Sequence, residues 1–488
     1  MKADLDVAIL GAGLGGIGMG CMLKAQGITA FRIFEKESRP GGTWRDNAYP
    51  GAACDTESHL YCYSFALHLS VSRLYAGQPE LLRYAESLID GHDLAPHIAY
   101  DSEITQVRWD DAQMLWAITF ANGNTVTARA FIAAWGQLNR PQVPDISGAD
   151  RFAGHQFHSA RWPADLQLSG QRIASIGNAA SAIQYIPSLA RQARHLTVFQ
   201  RSPNWIVPRG DRPYSPEELA LYTSDPEAFR RNKAELFAWR ETTFLRMREG
   251  SDEARLIEDE ARAHLARQVP DESLRAKLLP DFPLGCKRVL RSDDYYPALM
   301  RDNVALETAP IREIVPEGIV TADGALHAVD IIVYGTGFET QSFQGPVEVF
   351  GRNAASLRSA WAGGARAYKG MTVPAFPNFF MVYGPNTNLG HNSILSMFEA
   401  QFGYITQALS HAFARHCAVD VREDAYLAYD EALQHEMSGT AWAGNCTSWY
   451  KNAQGRVVNN WSGPVQAYID ATKRFDVNAY QCLEAVPS

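Results

Sequence analysis

The stretch LDVAILGAGLGG, residues 5–16, decides the fold. Its first half is a short apolar run of strand length, and glycines follow at positions 11, 13 and 16. A helix-like stretch then runs to about Gly27, and a second strand, ITAFRIFEK, reaches Glu35. Strand, glycine turn, helix and strand together read as a dinucleotide-binding unit. Gly11 makes the tight turn, Gly13 lets the backbone approach a pyrophosphate, and Gly16 lets helix and strand pack closely. The helix N-terminus then receives the phosphate charge. Glu35 falls where a carboxylate accepts hydrogen bonds from ribose hydroxyls.

The unit recurs. RIASIGNAASA at 172–182 supplies a strand and a second glycine motif, and LTVFQRS at 196–202 supplies the next strand. Gly11 to Glu35 spans 24 residues, and Gly177 to Arg201 also spans 24. One slot therefore holds an acid in the first copy and an arginine in the second. An acid repels a phosphate on the ribose, whereas an arginine pairs with one through its fork of N–H donors. The first site suits FAD and the second NADPH. Ala179 replaces the middle glycine of the second motif, which makes close backbone approach less easy.

Residues 212–284 differ in texture, being rich in Glu, Arg, Ala and Leu and punctuated by prolines. They read as amphipathic helices with solvated charges. IIVYGTGF at 331–338 and FFMVYGPN at 379–386 read as buried parallel strands ending in glycine turns. The expected class is α/β, with two Rossmann-like dinucleotide-binding domains and a helical insert in the second. The expected boundaries are 1–145 for the first part of the FAD domain and 150–211 for the first part of the NADPH domain. The insert follows at 212–284, the rest of the NADPH domain at 285–325, and the rest of the FAD domain with C-terminal active-site loops at 326–488.

The chain has 488 residues, 46% apolar and 20% charged, so it can bury a sizeable core. A net charge of −9 without a long basic run argues against nucleic acid or an anionic membrane surface as partner. MKADLDVAIL lacks the features of a secretory signal, and no apolar run reaches the length of a membrane helix. The seven cysteines are scattered and never form CxxC, which points away from a disulfide framework or a cysteine metal site and toward a reducing cytoplasm. No HExxH helix, phosphate-loop GxxxxGK[ST] or GxSxG elbow occurs, and the CxxxxC pair of flavin disulfide reductases is missing. Bound cofactors must therefore carry the reactivity.

GGTWRDNAYPGAACD at 41–55 and FAGHQFHSARWP at 152–163 carry a specific likeness. The first resembles the long fingerprint of type I Baeyer–Villiger monooxygenases, [A/G]GxWxxxx[F/Y]P[G/M]xxxD. The second resembles their fingerprint FxGxxxHxxxW[P/D]. LTVFQRSPNW, CKRVLRSDDYYPALMRDNV and CTSWY also look like family blocks. The Trp162-Pro163 ending favours this branch over the flavin-containing N- and S-oxygenases.

That resemblance implies oxidation of a ketone to an ester or lactone with O₂ and NADPH, through a C4a-peroxyflavin, and sulfoxidation beside it. It implies Arg288 as the active-site arginine, Asp55 as the carboxylate that orients it, and His158 as a coupler of nicotinamide binding to domain movement. Arginine suits the task because a peroxide anion needs a positive charge that does not give up its proton. On the FAD side the resemblance implies Thr43, Trp44, Tyr61 and the backbone of Val107 beside Gly11, Gly13, Gly16, Glu35 and Asp55. On the NADPH side it implies Gly177, Ser181, Ala182, Arg201, Ser202, Lys287 and Trp449. No metal is expected. GPNTNLGHN at 384–392 is expected to face the flavin, while AWG at 134–136 and YGTG at 334–337 depart from the family pattern near the interdomain turns. An N- or S-oxygenase, a redox sensor and an NADPH oxidase remain open alternatives.

Overall fold

Leu5–Leu10 lies between two parallel neighbours, Phe31–Phe34 and Thr125–Ala133, in a computed structural model that describes residues 3–444 and 448–484. Val7, Ala8 and Ile9 are fully buried, as a parallel strand covered on both faces requires. Phe379–Met381 adds in parallel beside Thr125–Ala133, and Ile98–Ala99 beside Phe31–Phe34. Ile104–Asp110 and Leu115–Phe120 join Thr125–Ala133 in an antiparallel meander, and Glu348–Phe350 completes eight strands. Helix Leu14–Ala25 packs closely on helix Ile394–Ala414; a Cβ on Gly18 would lie 2.7 Å from the Phe402 ring.

The second sheet is wholly parallel, in the order Val304–Glu307, His195–Phe199, Arg172–Ile176, Ile331–Tyr334, His155–His158. Helix Ala182–Gln192 follows its glycine turn. Ile331–Tyr334 was expected in the FAD domain, beyond a boundary at 325. It pairs instead with Arg172–Ile176 and His155–His158, so the return to the first sheet comes after Tyr334.

The insert forms the helices Pro216–Ser224, Pro226–Thr242, Asp252–Gln268 and Glu272–Leu278. Phe229 of the second is fully buried in the core of the first domain. Most insert charges are solvated, but Arg240 is 7% exposed, contrary to expectation. The fingerprint strip 152–163 splits into the strand His155–His158 and a single turn, Ser159–Arg161. Phe152 is anchored in the core of the second domain. Trp162 touches both domains, 6.4 Å from the Tyr49 ring and 5.5 Å from the Tyr185 ring, centroid to centroid.

Candidate active site

The first cradle is shaped by where a Cβ would collide. Gly11 has φ +97°, and a Cβ there would sit 2.7 Å from the Ala134 carbonyl oxygen. A Cβ on Gly16 would sit 1.8 Å from the Gly11 oxygen, so this glycine serves packing and does not line the cavity. Gly13 differs: a Cβ would meet only the Gly42 Cα, at 3.7 Å, which leaves its face open to a ligand. Glu35 is buried and held by the Ala12 N–H at 2.8 Å, the Glu37 N–H at 3.1 Å and Arg45 Nη1 at 3.1 Å. Its carboxylate lines the cavity with lone pairs to spare for hydroxyl donors. Thr43, Trp44 and Tyr61 line it too, and Trp44 Nε1–H donates to the Tyr61 hydroxyl at 3.2 Å. Val107 does not. It is fully buried in a strand paired on both sides, with Ile118 and Val349 as its register partners, so its backbone is engaged in the sheet. Ser102, Glu103 and Ile104 line the cavity near that strand's start.

In the second cradle Gly177 has φ +107°, and a Cβ would lie 2.4 Å from the Gly335 oxygen. Ala179 and Ser181 line the cavity, whereas Ala182 is fully buried behind it. Of the two departures, Trp135 packs among Trp361 and Phe379 while also lining the cavity, and Gly335 avoids a Cβ 2.4 Å from the Tyr185 hydroxyl. Arg201, Ser202 and Lys287 converge. Lys287 Nζ donates to Ser202 Oγ at 2.8 Å, and burial followed by the Arg201 charge pushes the lysine pKa down. Two cations held together in this way favour an anion such as a ribose phosphate. Cys286, which precedes them, is disulfide-bonded, so the expectation of unpaired cysteines fails there; Cys21, Cys54, Cys62, Cys417 and Cys482 are free thiols.

A cavity of about 1130 Å³ joins the two cradles. Small-molecule pockets span roughly 300–1,000 Å³, so there is room for more than one ligand. On its wall Arg288 Nη2 donates to Asp55 Oδ2. These side chains are 40% and 31% exposed, but the surface they expose is cavity wall deep in the molecule. Burial alone would raise the Asp55 carboxyl; the charges of Arg288 and then Arg240 overcome it and hold Asp55 below the usual range. Arg288 is shifted up, first by the Asp55 charge, and stays protonated. The phenols of Tyr383 and Tyr450 feel the Arg288 charge, and Tyr450 is buried and pushed up to about 12. Trp449, Asn388, Leu389 and Asn392 complete this wall.

Two features reach it from outside. Arg240 in the insert donates to both oxygens of Glu57, Nε at 2.8 Å and Nη2 at 2.9 Å, and Nη2 also reaches the Asp55 carbonyl at 3.1 Å. His158 lies off the cavity. Its Nδ1 accepts from the Ala160 N–H at 3.1 Å, which leaves the proton on Nε2 to donate to the Gly337 carbonyl at 2.9 Å. Burial lowers its pKa, so the ring is neutral and clamps the strip to the return segment after Tyr334. Among the described residues no group of three or more His, Cys, Asp or Glu could hold a metal, and no helix is long and apolar enough to cross a membrane.

Residues 8–216 match the family described as pyridine nucleotide-disulphide oxidoreductase. A Baeyer–Villiger monooxygenase of Streptomyces coelicolor is 40% identical over 99% of this chain and 93% of its own length. The chain belongs to the Baeyer–Villiger monooxygenases. A second such monooxygenase, from Pseudomonas aeruginosa, is 38% identical over 97% of this chain and 90% of its own. The closed crystal structure of cyclohexanone monooxygenase superimposes with a TM-score of 0.89 at 30% identity, covering 99% of this chain and 100% of that one. A crystal structure of OTEMO in complex with FAD and NADP gives 0.89 at 29% identity, with the same coverage. An FAD-binding monooxygenase of Aspergillus niger is likewise 38% identical over 95% of this chain, and this chain carries two cradles of the kind such cofactors need. Its residues fit both cofactors: the open face of Gly13 and the acid Glu35 suit FAD, and the paired cations Arg201 and Lys287 suit NADPH.

Glu57, Arg240 and Tyr450 escaped sequence reading as site residues. Tyr450 had a signal in the CTSWY block. A charged residue on an amphipathic helix such as Arg240 carries none that separates it from a solvated neighbour.

Proposed function

We propose that this enzyme inserts one oxygen atom beside the carbonyl of a small ketone, giving an ester or lactone, and oxidises sulfides as a side reaction. The observation that carries the reading is the Arg288–Asp55 pair on the wall of the cavity that joins the two cradles. When bound, the flavin reduced by NADPH supplies the oxygen activation. Arg288 holds a fixed positive charge toward the reacting oxygen and the ketone carbonyl, a charge that developing oxyanions need and that costs no reorganisation. Asp55 orients the guanidinium and keeps it protonated. Glu35 holds the FAD ribose, and Arg201, Ser202 and Lys287 hold the NADPH phosphate. His158, neutral and clamped to Gly337, acts as a positioning residue between the domains and does not touch the reacting atoms.

Arg288→Ala tests this reading. NADPH oxidation should persist while ester formation falls by at least ~10²-fold, the scale of losing one charge stabiliser. Ester formation at the wild-type rate would remove Arg288 from the mechanism.

A further inference from the structure

Behind the Arg288–Asp55 pair lies a second cavity of about 80 Å³. It shares Asp55, Thr56, Arg288, Arg291, Leu389 and Asn392 with the large cavity, so the two meet at the reacting end. Four arginines line it, Arg240, Arg246, Arg288 and Arg291. Asp55 neutralises Arg288, and Glu57 neutralises Arg240. Arg246 and Arg291 are partly buried, and their side chains make no hydrogen bond or ion pair among the described residues. Glu260 is exposed and acts on Arg246 only through its charge at a distance. Burial, then the Arg291 and Arg240 charges, push the Arg246 guanidinium down to about 10, far from where an arginine ordinarily stays.

An independent observation comes from His391, which lines the same chamber and is 5% exposed. Its Nε2 faces Glu241 Oε1 at 3.2 Å, but its Nδ1 is buried without a partner. With its proton on Nε2 toward Glu241, Nδ1 is an acceptor; leaving it unpaired costs about 1–3 kcal/mol, so it calls for a donor such as a water, which can bridge to a bound anion. The volume equals roughly two to three liquid waters at ~30 Å³ each, the room of a carboxylate group and far too little for a nucleotide phosphate chain.

We propose that this arginine chamber receives the carboxylate of the substrate, so that the enzyme acts on ketones that also bear a carboxylic acid. The proposal rests on the oxygenase reading above and narrows it: the ketone stands in the large cavity at Arg288, and the acid reaches past it to Arg246 and Arg291. Planar forks of N–H donors match the two carboxylate oxygens, and the excess positive charge selects an anion over its neutral ester.

The test uses the FAD-loaded enzyme with NADPH and O₂. A series of methyl-ketone carboxylic acids of increasing chain length is compared with the corresponding methyl esters. At the best length kcat/KM for the acid should exceed that for the ester by ~10-fold or more, which corresponds to ~1.4 kcal/mol. Arg246→Gln and Arg291→Gln should each bring that ratio toward unity through KM, and Arg246→Lys should restore part of it. Thermal shifts of the FAD-loaded proteins with the acid, with acetate and with chloride give a binding readout that needs no turnover and shows that each variant is folded. No acid preference at any length, or a preference unchanged in both glutamine variants, overturns the proposal. Stabilisation by acetate or chloride with no acid preference also overturns it and makes the chamber a site for a free small anion. Stabilisation of the wild type, but not of Arg246→Gln, by the oxo acid when no ketone yields an ester supports the carboxylate site and sinks the oxygenase reading instead.

Discussion

Arg240→Met breaks the link between the helical insert and the turn that carries Asp55. Arg240 and Glu57 side chains are 8% and 4% exposed, so bulk water reaches the pair poorly. After the substitution Glu57 keeps only the Tyr75 hydroxyl, at 3.0 Å, and the Asp55 carbonyl loses a donor. Breaking a buried ion pair by removing one partner costs about 3–5 kcal/mol, because the remaining charge is uncompensated. Arg240→Met combined with Glu57→Gln removes that charge and leaves Tyr75 an acceptor, so most of the loss should be recovered. Urea unfolding of the FAD-loaded protein, followed by circular dichroism and flavin fluorescence, measures both. Because Asp55 sits two residues from Glu57, the single variant should also lose ester formation more than NADPH affinity. Stability within ~0.5 kcal/mol of wild type, the range of a surface change, would refute the reasoning. A double variant no better than the single one would refute it equally.

Arg201→Ala should raise KM for NADPH far more than KM for NADH, and steady-state kinetics with both coenzymes checks it; equal changes would remove Arg201 as a phosphate ligand. His59 stacks on Tyr214 at 4.7 Å, packs against Phe229 and is pushed down to about 4, chiefly by burial. With the folded value below the ordinary ~6.5, this neutral ring stabilises the fold above that pH. The stability, on the order of 3 kcal/mol, is lost as pH falls from ~6.5 toward 4. His59→Phe keeps the stacking and removes the proton site. Its melting temperature should fall less steeply over that window, with a residual slope from His68 and His158, which are also pushed down. Identical slopes would contradict the assignment.

Both nucleotide units were legible because each couples an apolar strand, a glycine turn and a helix within a short window, where local signals agree. Arg201 was legible from its slot 24 residues after Gly177, but Ser202 and Lys287 only through likeness to known blocks, since 85 residues separate the two. Ile331–Tyr334 shows the limit of local reading: its apolar pattern announces a buried parallel strand but not which sheet it joins. Val107 shows another, because its neighbours across two ladders decide that its backbone is engaged. Arg240 and Arg246 looked like solvated helix charges. Their burial follows from how the insert folds back on the fingerprint turn, a long-range event with no local trace.

Oxygen insertion itself is tested most directly with ¹⁸O₂. The FAD-loaded enzyme, NADPH and a ketone that is turned over are incubated under the labelled gas, and the product is analysed by mass spectrometry against NADPH consumed. The account predicts one labelled atom in the ester for each NADPH oxidised, with the carbonyl oxygen of the ketone retained. NADPH consumption that returns all its oxygen as hydrogen peroxide, with no labelled ester from any ketone or oxo acid, would contradict it.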